Sequence, residues 1–318
     1  MSDGRAPRPA EPTTTRATLL ALLAAASFAL LGPLTVLITR DGTPLVVAMT
    51  WRFGLGGALL LALAWHEGGR RIVWPDTRAL WRLVTLGGLG QLVVTWLSLK
   101  SLDYIPAPTQ VFLFYSYPAW VTVVQAVRGA ERLDGRRVGA LVLAVVGILL
   151  VLDPRTLVAG VGAGAGAGVG VALALVAAFC YAIYVPLLGW LQRDTSPTLA
   201  SATITLSGSV LFAVTALAMH GQLLPRASAV SMGGLLALGV VSTGVAFWAF
   251  MRALAGLGSV RLAILSTAEP FIASCYAAVL LGQRPGPLAA VGGLCIVTAV
   301  VWLVRPATAR VGVPAASS

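Results

Sequence analysis

The sequence predicts an all-α integral membrane protein: ten transmembrane helices in two inverted five-helix repeats. Three observations carry this prediction. Apolar residues make up 58% of the 318-residue chain and charged residues only 10%, with a mean hydropathy of +0.89, whereas a soluble domain carries roughly a quarter charged residues. Apolar runs of about 20 residues, the length that crosses a bilayer as a helix, recur along the chain. The second half of the chain also repeats the pattern of the first. With so few charges to solvate a globular surface, the apolar surplus has to face lipid.

The elements follow in order. Residues 1–16 are rich in Pro and Thr and read as a disordered cytoplasmic tail. Ten spans follow at 17–38, 44–65, 80–99, 106–127, 136–152, 168–191, 198–219, 230–251, 258–281 and 286–304. The first is too long for the apolar region of a signal peptide, and Gly32-Pro33 lies inside it without a break. Most connections are short, so successive helices run antiparallel. Residues 153–167 fall in a stretch that alternates Gly with Ala or Val and read as a flexible linker. They separate a first repeat at 17–152 from a second at 168–304, and 305–318 form a second disordered cytoplasmic tail.

The net charge of +11 does not point to nucleic acid, because the arginines lie in short clusters between apolar runs. With the N-terminus in the cytoplasm, sixteen basic residues fall on that side and five on the other, leaving Arg52 inside a span. This bias puts both termini in the cytoplasm, and an even number of spans agrees. Lys100 is the only lysine, and Ala, Gly and Arg dominate. That usage fits a GC-rich bacterial genome and hence an inner (plasma) membrane. Cys180, Cys275 and Cys295 sit in apolar runs without metal-ligand spacing, so disulfides, metal and cofactors are not expected.

A shift of 152 residues superposes spans three to five on spans eight to ten without a gap. Trp96 falls on Trp248, Lys100 on Arg252, Pro118 on Pro270 and Arg132 on Arg284. A shift of 153 aligns the first span with the sixth: Pro33 meets Pro186, Arg40-Asp41 meets Arg193-Asp194, and Pro44 meets Pro197. Chance alignment of apolar segments matches Leu and Val, but seldom Trp, Pro and charged pairs together. Because each unit has an odd number of spans, the second copy enters the membrane upside down. Inverted repeats of this kind build secondary transporters whose substrate site lies near the midplane.

Two stretches carry a resemblance. SLKSLDYIPAPTQVFLFYSYPAW with the following GAERLDGRRVGALVLAVVGILLVL, and AFMRALAGLGSVRLAILSTAEPFIASCYAAVLLGQRPGPLAAVGGLCIVTAVVWLV, resemble the two EamA domains of the drug/metabolite transporter superfamily. Arg52 in MTWRFGLGGALL resembles the family's arginine of the second helix, and Ala268–Pro270 its Glu-Pro of the ninth. The resemblance covers about residues 17 to 305. It departs at Tyr117 before Pro118, and at GQRPGP where Gly-Glu-Arg is usual. It implies ten helices in inverted repeats, and the movement of amino acids, other metabolites or drugs, in many members outward.

The residues themselves suggest where a solute would bind. Pro33, Pro118, Pro186 and Pro270 each remove a backbone hydrogen bond inside a span. Such kinks belong where protein or a wet cavity satisfies the freed carbonyl. They mark the first, fourth, sixth and ninth helices as gating elements lining a cavity, or as static packing kinks. Glu269 lies about 16 Å into its span, where a bare carboxylate is costly. It could bind a substrate ammonium, exchange a proton or anchor a helix contact. Arg52, roughly 12 Å in, could snorkel, pair with Glu269 or hold a substrate carboxylate. Tyr115, Tyr117, Tyr181 and Tyr184, with Gln91, Thr243, Trp96, Trp248 and Ser266, complete the candidate lining, or serve as packing and belt residues.

Other classes fit less well. A membrane metalloprotease would need ligands in the spans, but His66 and His220 fall outside them, and one carboxylate cannot make an aspartyl pair. No P-loop is present, so ATP is not the direct energy source. The expectation is a non-enzymatic secondary transporter, an exporter of amino acids or related small metabolites working by alternating access, with proton coupling through Glu269. A uniporter or channel-like facilitator and a non-transporting sensor are the alternatives. The expected partners are a small-molecule solute, the lipid bilayer and protons, for a monomer or homodimer.

Overall fold

The computed structural model describes residues 14–68, 74–105, 107–129, 134–151, 166–282 and 286–304. Of the expected linker at 153–167 only 166–167 lie among these residues, and of the two tails only 14–16. Ten helical units appear among the described residues, each within a few residues of a sequence-predicted span apart from a longer eighth. They are α1 (Thr14–Ala29 and Leu31–Arg40), α2 (Leu45–Gly68), α3 (Thr77–Ser101), α4 (Ala107–Phe114 and Tyr117–Val127), α5 (Gly135–Val151), α6 (Ala167–Leu191), α7 (Pro197–His220), α8 (Ala229–Leu257), α9 (Ser259–Leu281) and α10 (Pro287–Val304). No strand occurs among the described residues, as hydrocarbon demands of a chain that must satisfy its own backbone.

By length and composition seven of these helices can cross a membrane: α1, α2, α3, α6, α7, α8 and α9. The prediction of ten full spans is thus met in part. The units that fall short are α4, which is broken in two, and the shorter α5 and α10.

Contacts between helices follow the repeat. α2 packs along α7, and α5 along α10; each pair is exchanged with itself by the 152–153-residue shift. α1 lies on the second half of α8, and its counterpart α6 lies on the second half of α3. These interfaces are close because small residues face each other. A Cβ at Gly56 would stand 2.6 Å from the Thr243 side chain and 2.9 Å from the Gly239 carbonyl, and one at Gly147 would stand 2.7 Å from the Gly292 carbonyl. Van der Waals packing of this kind holds helices together where both solvent and side chains are apolar.

The prolines behave differently from one another. α1 is interrupted at Leu30, α4 at Tyr115–Ser116, and α9 passes through a 3₁₀ turn at Ser266–Ala268. α6, by contrast, runs through Pro186 as one helix. α3 and α8 each contain a π-helical stretch, at Leu83–Gly87 and Val240–Val245. Such stretches often mark functional positions. The three cysteines are free; Cys275 is exposed, and Cys180 and Cys295 are partly so.

Candidate functional site

Glu269 is the first residue of the helical segment that follows the break in α9, with Pro270 next in that first turn. A proline costs nothing there, since the first N–H groups have no intrahelical partner. Free N–H groups and the helix dipole make the same end a favourable place for an anion. Ala268 and Pro270 on either side are buried, whereas Glu269 itself is only partly so.

Aromatic rings of α4 and α6 surround this carboxylate. Tyr115 and Tyr117 lie near enough to Glu269 to interact with it electrostatically, and the Ser266 hydroxyl, one turn before it, donates to the Leu262 carbonyl at 3.0 Å. Tyr181 meets Tyr117 edge to face with centroids 4.8 Å apart, and Phe114 lies 5.4 Å from Tyr181 and 5.7 Å from Tyr117. Each such ring pair adds about 0.5–1.5 kcal/mol beyond burial. Tyr184 stands at the edge of the cluster, 6.3 Å from Tyr181, and donates to the Gly87 carbonyl at 2.7 Å, tying α6 to the π-helical stretch of α3.

Arg52 supplies the opposing charge, near enough for Glu269 and the guanidinium to interact electrostatically. Only 5% exposed, its head does not snorkel. Nε donates to Thr243 Oγ1 at 2.9 Å, a terminal N–H contacts Met49 Sδ at 3.5 Å, and the guanidinium stacks 4.7 Å above the Phe53 ring. Thr243 in turn donates to the Leu238 carbonyl five residues back, across the π-helical stretch. A charge at this depth costs about 2.5–3.5 kcal/mol on insertion scales, so these partners and the carboxylate are what keep it there.

The structure therefore gathers Glu269, Arg52, Tyr115, Tyr117, Tyr181, Ser266 and Thr243, with Tyr184 adjoining. Gln91 is half-buried on α3 and donates to Thr95 Oγ1 at 3.0 Å. Trp96 and Trp248 lie elsewhere. Trp96 is 47% exposed. Trp248 belongs to a second polar cluster that sequence reasoning did not find, built on Glu67 near the end of α2. Arg252 pairs with Glu67 Oε2 at 2.7 Å, Thr198 donates to the same oxygen at 2.8 Å, and Trp248 Nε1 donates to Oε1 at 3.1 Å. Arg252 also stacks 4.9 Å above the Trp248 ring.

A third cluster lies at the opposite end of the helices. Asp41 accepts from Ser228 and from Ser231, the latter at 2.7 Å, and Thr43 bonds Ser231 at 3.0 Å, joining the end of α1 to the start of α8. Asp41 lies beyond the membrane-spanning helix. The two serine hydroxyls hold its carboxyl below the usual carboxylate range.

With this geometry in place, comparison with known proteins decides the family. The model of the EamA-like transporter family matches residues 15–153 and again 168–305. The chain belongs to the EamA-like transporter family. As a member it is a multi-pass membrane protein of a transporter family. It is 28% identical over 292 residues to an uncharacterized protein of Pseudomonas aeruginosa, covering 89% of this chain and 95% of that protein. A solved crystal structure shares the fold with a TM-score of 0.76 at 21% identity, over 90% of this chain and 97% of the other.

Proposed function

We propose that this EamA family member is a secondary transporter of the bacterial inner membrane, exporting amino acids or related small metabolites by alternating access and coupling export to protons at Glu269. Both termini lie in the cytoplasm in this reading, and the halves 17–152 and 168–304 are inverted copies that rock about the site. The observation that carries it is Glu269: a partly accessible carboxylate at the start of a broken helix, ringed by tyrosines, with Arg52 as counter-charge. A solute with an ammonium group would exchange that charge partner for its own, and a carboxylate on the same solute would find Arg52. The apolar lining with few polar groups suits a small zwitterion with an apolar side chain.

Uptake into proteoliposomes of a panel of radiolabelled amino acids, with and without an imposed pH gradient, tests the coupling. The expected result is gradient-driven flux that Glu269→Gln abolishes. Flux independent of the gradient in the wild type would assign the protein to the facilitators instead.

A further inference from the structure

The repeat makes the Glu67 cluster informative, because each of its members has a counterpart at the other end of the molecule. Arg252 and Trp248 correspond to Lys100 and Trp96 under the 152-residue shift. Glu67 and Thr198 correspond to His220 and Leu45 under the 153-residue shift. The contacts do not correspond. At the Glu67 end, the cluster ties α2, the start of α7 and the end of α8 together. At the Lys100 end, Lys100 pairs with Asp103 of its own turn at 2.7 Å, and Trp96 stands exposed. His220 is exposed at the last turn of α7. The backbone packing is asymmetric too, with α7 lying on the second halves of both α8 and α3 and α2 making at most marginal contact with either among the described residues.

The Glu67 cluster thus has no bonded counterpart at the Lys100 end, which is joined instead through Asp41, Ser228 and Ser231 between α1 and α8. The chemistry also differs between the ends. Glu67 offers Arg252 an opposite charge, but His220 offers Lys100 none. An ion pair can therefore hold the Glu67 end, and no equivalent pair can hold the Lys100 end.

We propose that Glu67, Arg252, Thr198 and Trp248 form a latch that holds the Glu67 end shut, and that it opens and reforms in each cycle. While the latch is closed, the Glu269 site communicates with the Lys100 end. This rests on the transporter reading above, and on that reading's topology the latched end is cytoplasmic. The latch is partly exposed, with the Arg252 and Glu67 side chains 26% and 31% accessible. Water is thus at hand to receive both charges when the helices part. A pair at such a position is worth little enough to break repeatedly.

Spin-label distances measured without any solute test the proposal. In a background where Cys180, Cys275 and Cys295 are Ala, one label pair sits at His66→Cys and Ala255→Cys, reading α2 against α8. A second sits at Asp103→Cys and Met219→Cys, reading α3 against α7. Glu67→Gln or Arg252→Gln is expected to lengthen the first distance and shorten the second, while Arg252→Lys keeps the parent distances. Unchanged distances would overturn the latch. So would a lengthening of the first pair with no change in the second, since that describes a static clamp worked loose. Gel filtration of each variant separates these outcomes from misfolding. The result is independent of Glu269: if Glu269→Gln transports normally, the binding-site reading fails while the latch measurement stands.

Discussion

The breaks in α4 and α9 are the same device built twice and finished differently. In each, the helix stops near mid-length and a hydroxyl bonds a carbonyl three residues back, Ser116 to Leu113 at 2.7 Å and Thr267 to Ile264 at 2.6 Å. In each, a new helical segment then begins with proline in its first turn. The residue that opens the new segment is Tyr117 in the first repeat and Glu269 in the second. The scaffold is symmetric because both copies must solve one packing problem, whereas a solute has two different ends. Only one copy received a charge.

The largest expected effect breaks that comparison directly. Glu269→Gln should abolish transport. Tyr117→Phe, at the matching position, should cost several-fold less. Equal losses in proteoliposome flux would mean the two breaks are functionally equivalent.

Next in size is Arg52→Gln, which leaves Glu269 without its counter-charge. Losing the Arg52 hydrogen bond to Thr243 costs about 1.5–3 kcal/mol, to be read as a fall in thermal midpoint. Adding Glu269→Gln should recover part of it, because neighbouring charges do not act additively.

Gly56→Val tests the scaffold alone. The added side chain meets Thr243 and the Gly239 carbonyl, and overpacking of this kind costs about 1–3 kcal/mol. It should also disturb the Arg52–Thr243 bond, whereas the same change at exposed Gly233, which has open space around it, should be nearly neutral.

The smallest effect is at Asp41. Its folded carboxyl titrates below the ordinary range, so its contribution to stability is fully present above the unfolded value and is lost as pH falls through the folded one. Asp41→Asn should therefore lower the thermal midpoint slightly at neutral pH, and the difference from wild type should close on acidification.

Much of the fold was legible because lipid leaves the chain few options. Apolar length gave each helix to within a few residues at most ends, and the matched Trp, Pro and charged positions gave the duplication. Glu269 and Arg52 stood out because charges are rare at that depth. Their electrostatic interaction, and the bond of Arg52 to Thr243, 191 residues apart, could not be read from order along the chain. Glu67 was missed for a related reason. At the edge of an apolar run it resembles any solvated loop residue, and its partners Thr198 and Trp248 lie 131 and 181 residues away. The one available signal was the pairing of Trp248 with Trp96 and of Arg252 with Lys100, which located the position without revealing that only one end is bonded. Pro186 taught the converse, since a proline that reads as a kink sits in an unbroken helix.

The central claim is that Glu269 is where the solute binds. Thermal unfolding of the purified protein, screened against amino acids and related metabolites, tests it most directly. A ligand at a hundred times its dissociation constant stabilises by about 2.7 kcal/mol. The account predicts that a solute raising the wild-type midpoint leaves Glu269→Gln unmoved at the same concentration. An equal rise in both proteins would contradict it.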